Sequence, residues 1–130
     1  MATDAARTHR ATIDDSETAK FAAMAEQWWD PDGKFAPLHK FNPVRLAFLR
    51  DRICDRFGRE PHGEQPLTGL TIADIGCGGG LLAEPLARLG AAVTGIDAVE
   101  RTVNVARAHA ATSGVQVEYR VGSVEDLTSA

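Results

Sequence analysis

The chain has 130 residues, of which 44% are hydrophobic and 25% charged, with a formal net charge of −4. That balance suits one soluble globular domain, and an acidic chain with no Lys/Arg run excludes nucleic acid as the main partner. The two cysteines, Cys54 and Cys77, form neither a disulfide framework nor a Cys-x-x-Cys zinc pattern and fit a reducing cytoplasm. No apolar run approaches the roughly 20 residues of a membrane span. The opening MATDAARTHRATIDDSE has no apolar signal core, so residues 1–13 read as a disordered lead-in.

A first helix is expected from Asp14 or Asp15 to about Trp28, because Phe21, Met24, Ala25 and Trp28 recur at i, i+3, i+4, i+7. Asp30, Pro31, Asp32 and Gly33 break it. A second helix is expected to open with Asn42 as N-cap and Pro43 at its first position. Its buried stripe is Leu46, Leu49, Ile53 and Phe57, and Gly58 is its C-terminal glycine. The stretch Gly58 to Gly69, rich in Gly and Pro, reads as a loop.

Beyond the loop the pattern changes to alternating strand and helix. LTIADIG reads as a buried strand, Gly80 to Leu89 as a helix, and Ala91 to Asp97 as a second strand. Glu100 to Ser113 reads as a helix ending at Gly114, followed by a third strand from Val115 to Val121. This alternation predicts an α/β fold with a parallel sheet and right-handed crossovers.

The join between the first strand and its helix is GCGGG, with glycines at Gly76, Gly78, Gly79 and Gly80. Glycine at that density lets backbone approach a ligand beside a helix start whose N–H groups are unpaired. The dinucleotide pattern G-x-G-x-x-G requires a third glycine where this chain has Leu81. Its acid partner is present: Asp97 closes the next strand about 20 residues on, where a carboxylate can accept both ribose hydroxyls. A nucleoside-bearing ligand is therefore expected, with no strong demand for a pyrophosphate. Asp74, beside the loop, suits a cationic ligand group better than a diphosphate.

D-I-G-C-G-G-G followed by G-I-D resembles the first two motifs of the Rossmann-like S-adenosylmethionine-dependent methyltransferases. AKFAAMAEQWWDPDGKFAPLHKFNPVRL, Ala19 to Leu46, resembles more narrowly the N-terminal signature of the ubiquinone-biosynthesis O-methyltransferases. The likeness extends from Asp14 to Leu127. It implies the N-terminal part of a seven-stranded Rossmann-like fold, with three parallel strands present after an N-terminal helix pair. The implied division is residues 14–68 as a helical cap and 69–130 as the cofactor-binding half, incomplete beside a seven-stranded relative.

The resemblance also implies roles. Gly76, Gly78 and Gly80 would cradle S-adenosylmethionine, Asp97 its ribose, Asp74 its ammonium, and Arg45 its carboxylate. Ser123 stands where many methyltransferases carry an acid near the adenine, a departure from their pattern. Each has a plainer reading: a tight turn for the glycines, an N-cap for Asp97, a structural carboxylate for Asp74, a solvated charge for Arg45. Trp28 and Trp29 read as packing residues, with one lining the substrate mouth as the alternative; His39 reads as a loop hydrogen-bonder, with a catalytic base by type as its alternative; Cys77 reads as small, buried and not nucleophilic. No catalytic residue and no metal ligand is assigned.

The implied reaction is methylation of a catechol or hydroquinone hydroxyl on a polyprenylated ubiquinone precursor. The family's Mg2+ ligands would lie outside this sequence. A cytoplasmic protein with peripheral contact on the inner face of a membrane, and a place in a ubiquinone-biosynthesis complex, are further implications. A truncated, inactive cofactor-side fragment is the corresponding expectation. A non-catalytic binding or interaction module and the nucleotide-binding half of an NAD(P)-dependent oxidoreductase stand as alternatives.

Overall fold

A computed structural model describes residues 19–128. Residues 19–28 are helical and form the described part of α1. The expected disordered stretch 1–13 and the expected start of this helix lie outside the described residues. Ala25 is buried and Phe21, Met24 and Trp28 are half-buried, so the i, i+3, i+4, i+7 stripe faces inward as its spacing requires.

The second helix, α2, spans Ala36–Phe57 and begins well before Asn42. The expected Asn42–Pro43 start is corrected: Phe35 is the N-cap, Pro37 occupies the first turn, and Pro43 lies inside the helix. Proline in the first turn costs nothing because those N–H groups have no helical partner. At Pro43 the helix forgoes one backbone hydrogen bond, and the neighbouring Asn42 side chain is engaged outside the helix. Its Nδ2 donates to the Leu81 carbonyl at 2.6 Å. The C-terminus matches expectation: Gly58 is left-handed at φ 65°, and Arg59 N–H donates to the Cys54 carbonyl at 2.8 Å. Leu46 and Ile53 pack on the core, but Phe57 is 56% exposed and Cys54 takes the buried place.

Three parallel strands follow, in the order β1–β2–β3: β1 (Thr71–Ile75), β2 (Ala92–Asp97) and β3 (Glu118–Val121). Thr71 pairs with Ala92 and Ile75 with Ile96; Thr94 pairs with Glu118 and Asp97 with Val121. The crossovers are α3 (Ala83–Arg88) and α4 (Glu100–Ser113), and a short α5 (Val124–Thr128) ends the described chain. The third strand is shorter than the expected Val115 to Val121. The expected helix from Gly80 begins instead at Ala83, because Gly80 at φ 92° is left-handed and cannot continue an α-helix.

Leu67, Leu86, Val93, Val103, Ala106 and Tyr119 form the core under α3 and α4, with Ile72 packed against them. The other face of β1 is open. Thr71, Ala73 and Ile75 are exposed, Ile75 by 50%, so β1 is not the buried strand expected from its composition. It is an edge strand among the described residues.

Leu67 is fully buried although it lies in the connecting loop, and its N–H donates to the Leu89 carbonyl at 2.9 Å. Leu67→Ala is expected to lower unfolding free energy by about 2–5 kcal/mol, read as a reduced urea midpoint with an unchanged denaturant slope.

Candidate functional site at the carboxyl ends of the strands

Parallel pairing brings the ends of β1, β2 and β3 to one edge, where open α/β sheets bind ligands. Gly76 N–H and Cys77 N–H both donate to the Ile96 carbonyl, at 2.7 and 3.0 Å, folding the glycine loop over the end of β2. Asp97 completes the attachment. Its Oδ2 accepts from Gly78 N–H at 3.1 Å and its Oδ1 from Val99 N–H at 3.0 Å. Val99, not Asp97, is the N-cap of α4. A carboxylate has about four acceptor sites, so two accepted bonds leave capacity for ribose hydroxyls.

The four glycines divide their work. At Gly76, left-handed at φ 75°, the space a side chain would occupy is empty to 4 Å. Elsewhere that space is taken by protein. A methyl group on Gly79 would stand 2.7 Å from the Trp28 ring, and one on Gly78 3.2 Å from it. One on Gly80 would collide with the Tyr119 hydroxyl. Gly76 alone presents open backbone, while Gly78 and Gly80, both expected to cradle a ligand, have packing roles. Trp29 adds a bond from its Nε1–H to the Gly79 carbonyl at 3.0 Å, and His39 Nε2 lies 2.9 Å from the Trp28 carbonyl. The packing reading of both tryptophans and the hydrogen-bonding reading of His39 match these contacts.

Asp74 lies on β1 opposite Gly95, and its Oδ2 is buried with no hydrogen-bond partner. Burial raises its pKa; the Arg45 charge opposes this and the Asp97 charge adds to it. A buried acceptor without a partner is costly unless something else supplies a donor. Arg45 is exposed, with Nη2 donating to Asn42 Oδ1 at 2.7 Å, and it is close enough to Asp74 to act on its charge. Asn42, not singled out as a site residue from sequence, thus joins Arg45 to the loop through Leu81. Burial, then the charges of Asp74 and Asp97, push the Cys77 thiol up to about 12, which suits a packing residue and not a nucleophile.

Ser123 stands at the start of the short helix after β3. Its N–H donates to Asp126 Oδ2 at 2.7 Å and Asp126 N–H returns to the Ser123 carbonyl at 3.1 Å. That is a capping arrangement for α5, legible beforehand in the spacing Ser-x-x-Asp. A hydrogen bond from the Ser123 side chain also lowers the Glu125 pKa. Ser123 remains at the strand edge but has local duties. A concavity lies along Thr71, Ala92, Gly114, Val115 and Glu118, at the other end of the strands, and includes none of the expected site residues. No group of three or more His, Cys, Asp and Glu is placed to hold a metal ion among the described residues.

A family described as "Methyltransferase domain" matches residues 72–130, covering the three strands and the glycine loop. A ubiquinone biosynthesis O-methyltransferase of Sinorhizobium fredii is 61% identical over 123 residues, which are 95% of this chain and 50% of that protein. The chain is thus similar to methyltransferases, over residues 72–130 by family and over nearly its whole length by this relative. A ubiquinone biosynthesis O-methyltransferase of Agrobacterium fabrum is 54% identical over 123 residues, 95% of this chain and 49% of its own length. The chain thus spans about half the length of the curated relatives it matches.

Among solved structures, the bifunctional kinase-methyltransferase WbdD is 28% identical with a TM-score of 0.55, over 78% of this chain and 20% of that one. Magnesium protoporphyrin IX methyltransferase from Synechocystis, solved with bound SAM, shares the fold at 24% identity and a TM-score of 0.50. It matches 88% of this chain and 54% of its own. The fold is the one seen in these methyltransferases. No described helix is long and apolar enough to cross a membrane.

Two measurements check this division of labour. Gly79→Ala is expected to displace Trp28 and change intrinsic tryptophan fluorescence. Gly76→Ala should leave that fluorescence unchanged and cost about 1–2 kcal/mol for a left-handed alanine. Asp74→Asn is expected to raise the thermal midpoint at pH 7. Because the folded carboxyl has a raised pKa, its stabilising contribution is complete only below the ordinary value of 3.8 and is lost as pH rises. The advantage of the asparagine variant should therefore shrink as pH falls toward 3.8.

Proposed function

We propose that the chain forms the S-adenosylmethionine-binding side of an O-methyltransferase that acts on the catechol or hydroquinone hydroxyl of a polyprenylated ubiquinone precursor. The observation that carries this reading is the pairing of an open Gly76 backbone with the buried, unpartnered Asp74 Oδ2 at one strand edge. An ammonium donor fits such an acceptor; a pyrophosphate would bring a second negative charge to it. The residues therefore fit the cofactor. Asp97 would hold the ribose hydroxyls, Asp74 the ammonium, and Arg45 the carboxylate as a guanidinium fork. Gly76 would let the backbone approach the nucleoside, Gly78 and Gly80 would support the cradle from behind, and Ser123 would stand on the adenine side.

Bound S-adenosylmethionine supplies an electrophilic methyl group on sulfur. What the chain contributes is placement, since aligning oxygen, methyl carbon and sulfur can provide much of the catalysis. The acceptor hydroxyl must also lose a proton to a base or metal-bound group. No residue here is assigned to that step, and the family's Mg2+ belongs to the same proposal. Residues 69–130 are the proposed cofactor-binding half, under a helical cap of residues 14–68. Contact with the inner face of a membrane and association with a ubiquinone-biosynthesis complex follow from the substrate's prenyl chain and stand with it. Against an NAD(P) site, Leu81 is buried where the dinucleotide pattern needs a third glycine.

Isothermal titration with adenosylhomocysteine and with NADH tests the reading. Adenosylhomocysteine should bind and NADH should not, and Asp97→Ala should weaken binding at least about tenfold, or 1.4 kcal/mol. Preference for NADH would contradict it.

A further inference from the structure

Glu84 is the one buried charged residue among those described, 1% exposed on α3, and nothing in the proposed chemistry uses it. Both its oxygens are satisfied from α4: Ser113 Oγ donates to Oε1 at 2.8 Å, and His109 Nδ1 lies 2.5 Å from Oε2. His109 and Ser113 are four residues apart and share a helix face. The His109 ring is thereby fixed, and the Trp29 ring lies flat on it, with centroids 3.8 Å apart and planes within 1°. The Trp29 indole N–H, held in turn, donates to the Gly79 carbonyl. A continuous path runs from a buried carboxylate through two stacked rings to the middle of the glycine loop.

We propose that His109 is a positioning residue for the glycine loop, acting through Trp29 on the Gly79 carbonyl. Two features argue that the stack does more than fill space. First, the Trp29 bond is made to the loop residue whose missing side chain leaves room for Trp28, so both rings of the Trp-Trp pair converge on Gly79. Second, Trp28 is itself stacked on Phe35 at 4.0 Å, so the pair is braced from α4 on one side and from the start of α2 on the other. The loop is fixed from beneath by Ile96 and Asp97, and from above by these rings. Loosening the upper brace would leave the strands paired while Gly78 to Gly80 lose their set conformation. The inference rests on the cofactor reading for its effect on affinity, but the mechanical link does not depend on it.

The test uses the whole chain labelled with 15N, with the Trp29 indole resonance assigned from Trp29→Phe. His109→Ala should shift or broaden that resonance, speed hydrogen exchange at the Gly78–Gly80 amides, and weaken adenosylhomocysteine binding about tenfold. His109→Phe, which keeps a ring under Trp29, should reverse most of all three effects; His109→Gln, which keeps only a polar partner for Glu84, should not. Trp29→Phe is the second variant should His109→Ala not fold. It lacks the indole donor and should speed loop exchange by itself.

An unmoved Trp29 resonance in His109→Ala would overturn the proposal, as would rescue by glutamine and not by phenylalanine. Altered loop exchange with unchanged adenosylhomocysteine affinity would equally overturn it. If the unmodified chain binds no adenosylhomocysteine, the cofactor reading fails, and the indole and amide signals alone decide the link.

Discussion

The ends of all three strands are tied together at Asp97. Its carboxylate takes N–H groups from the glycine loop and from the start of α4, and its backbone carbonyl takes the Gly122 N–H beyond β3 at 3.0 Å. Three connections that would otherwise end in unpaired donors are satisfied at one residue. Burying those donors unpaired would cost about 1–3 kcal/mol each, so removing the carboxylate loosens both the loop and the helix start. The same carboxylate is the group proposed to receive a ribose. In that proposal function and fold share one carboxylate, and Asp97 has a structural reason to hold its position before any ligand arrives.

The glycine loop shows how a single motif can hide two kinds of demand. Gly76 is left-handed with open space before it, as a ligand approach requires. Gly79 is needed because an aromatic ring presses on it, and Gly80 because the Tyr119 hydroxyl does. The Trp-Trp segment and the loop, which lie about fifty residues apart in the chain, are complementary surfaces. This explains why the N-terminal helices belong with the strands: α1 and α2 supply the upper wall of the loop through Trp28, Trp29 and Asn42.

Much of this was legible beforehand because its causes are local. The alternation of strand and helix, the bounds of α4 and the glycine C-caps at Gly58 and Gly114 follow from periodicity and from the steric freedom of glycine. What was not legible depends on contacts distant in sequence. Asn42–Pro43 has the chemistry of a helix start, yet Asn42 spends its amide on Leu81, and Pro37 six residues earlier serves the first turn. Phe57 continues a perfect stripe into solvent. β1 has the composition of a strand covered on both faces, but only one face is covered among the described residues. The Ser123 cap did carry a local signal, Ser-x-x-Asp, beside the expected place near the adenine. The Glu84–His109–Trp29 path gave no sequence signal, since its members are 80 residues apart from end to end and meet only in the fold.

The central claim is that this edge is a nucleoside cradle whose acid reads the ribose. It is tested most directly by comparing adenosylhomocysteine with its 2′-deoxy analogue on the unmodified chain and on Asp97→Ala. The account predicts that the unmodified chain prefers the ribose form by at least about tenfold and that the variant loses this preference, a coupling of about 1.4 kcal/mol between side chain and hydroxyl. Equal preference in both proteins would show that Asp97 serves the loop and α4 alone, and would contradict the account.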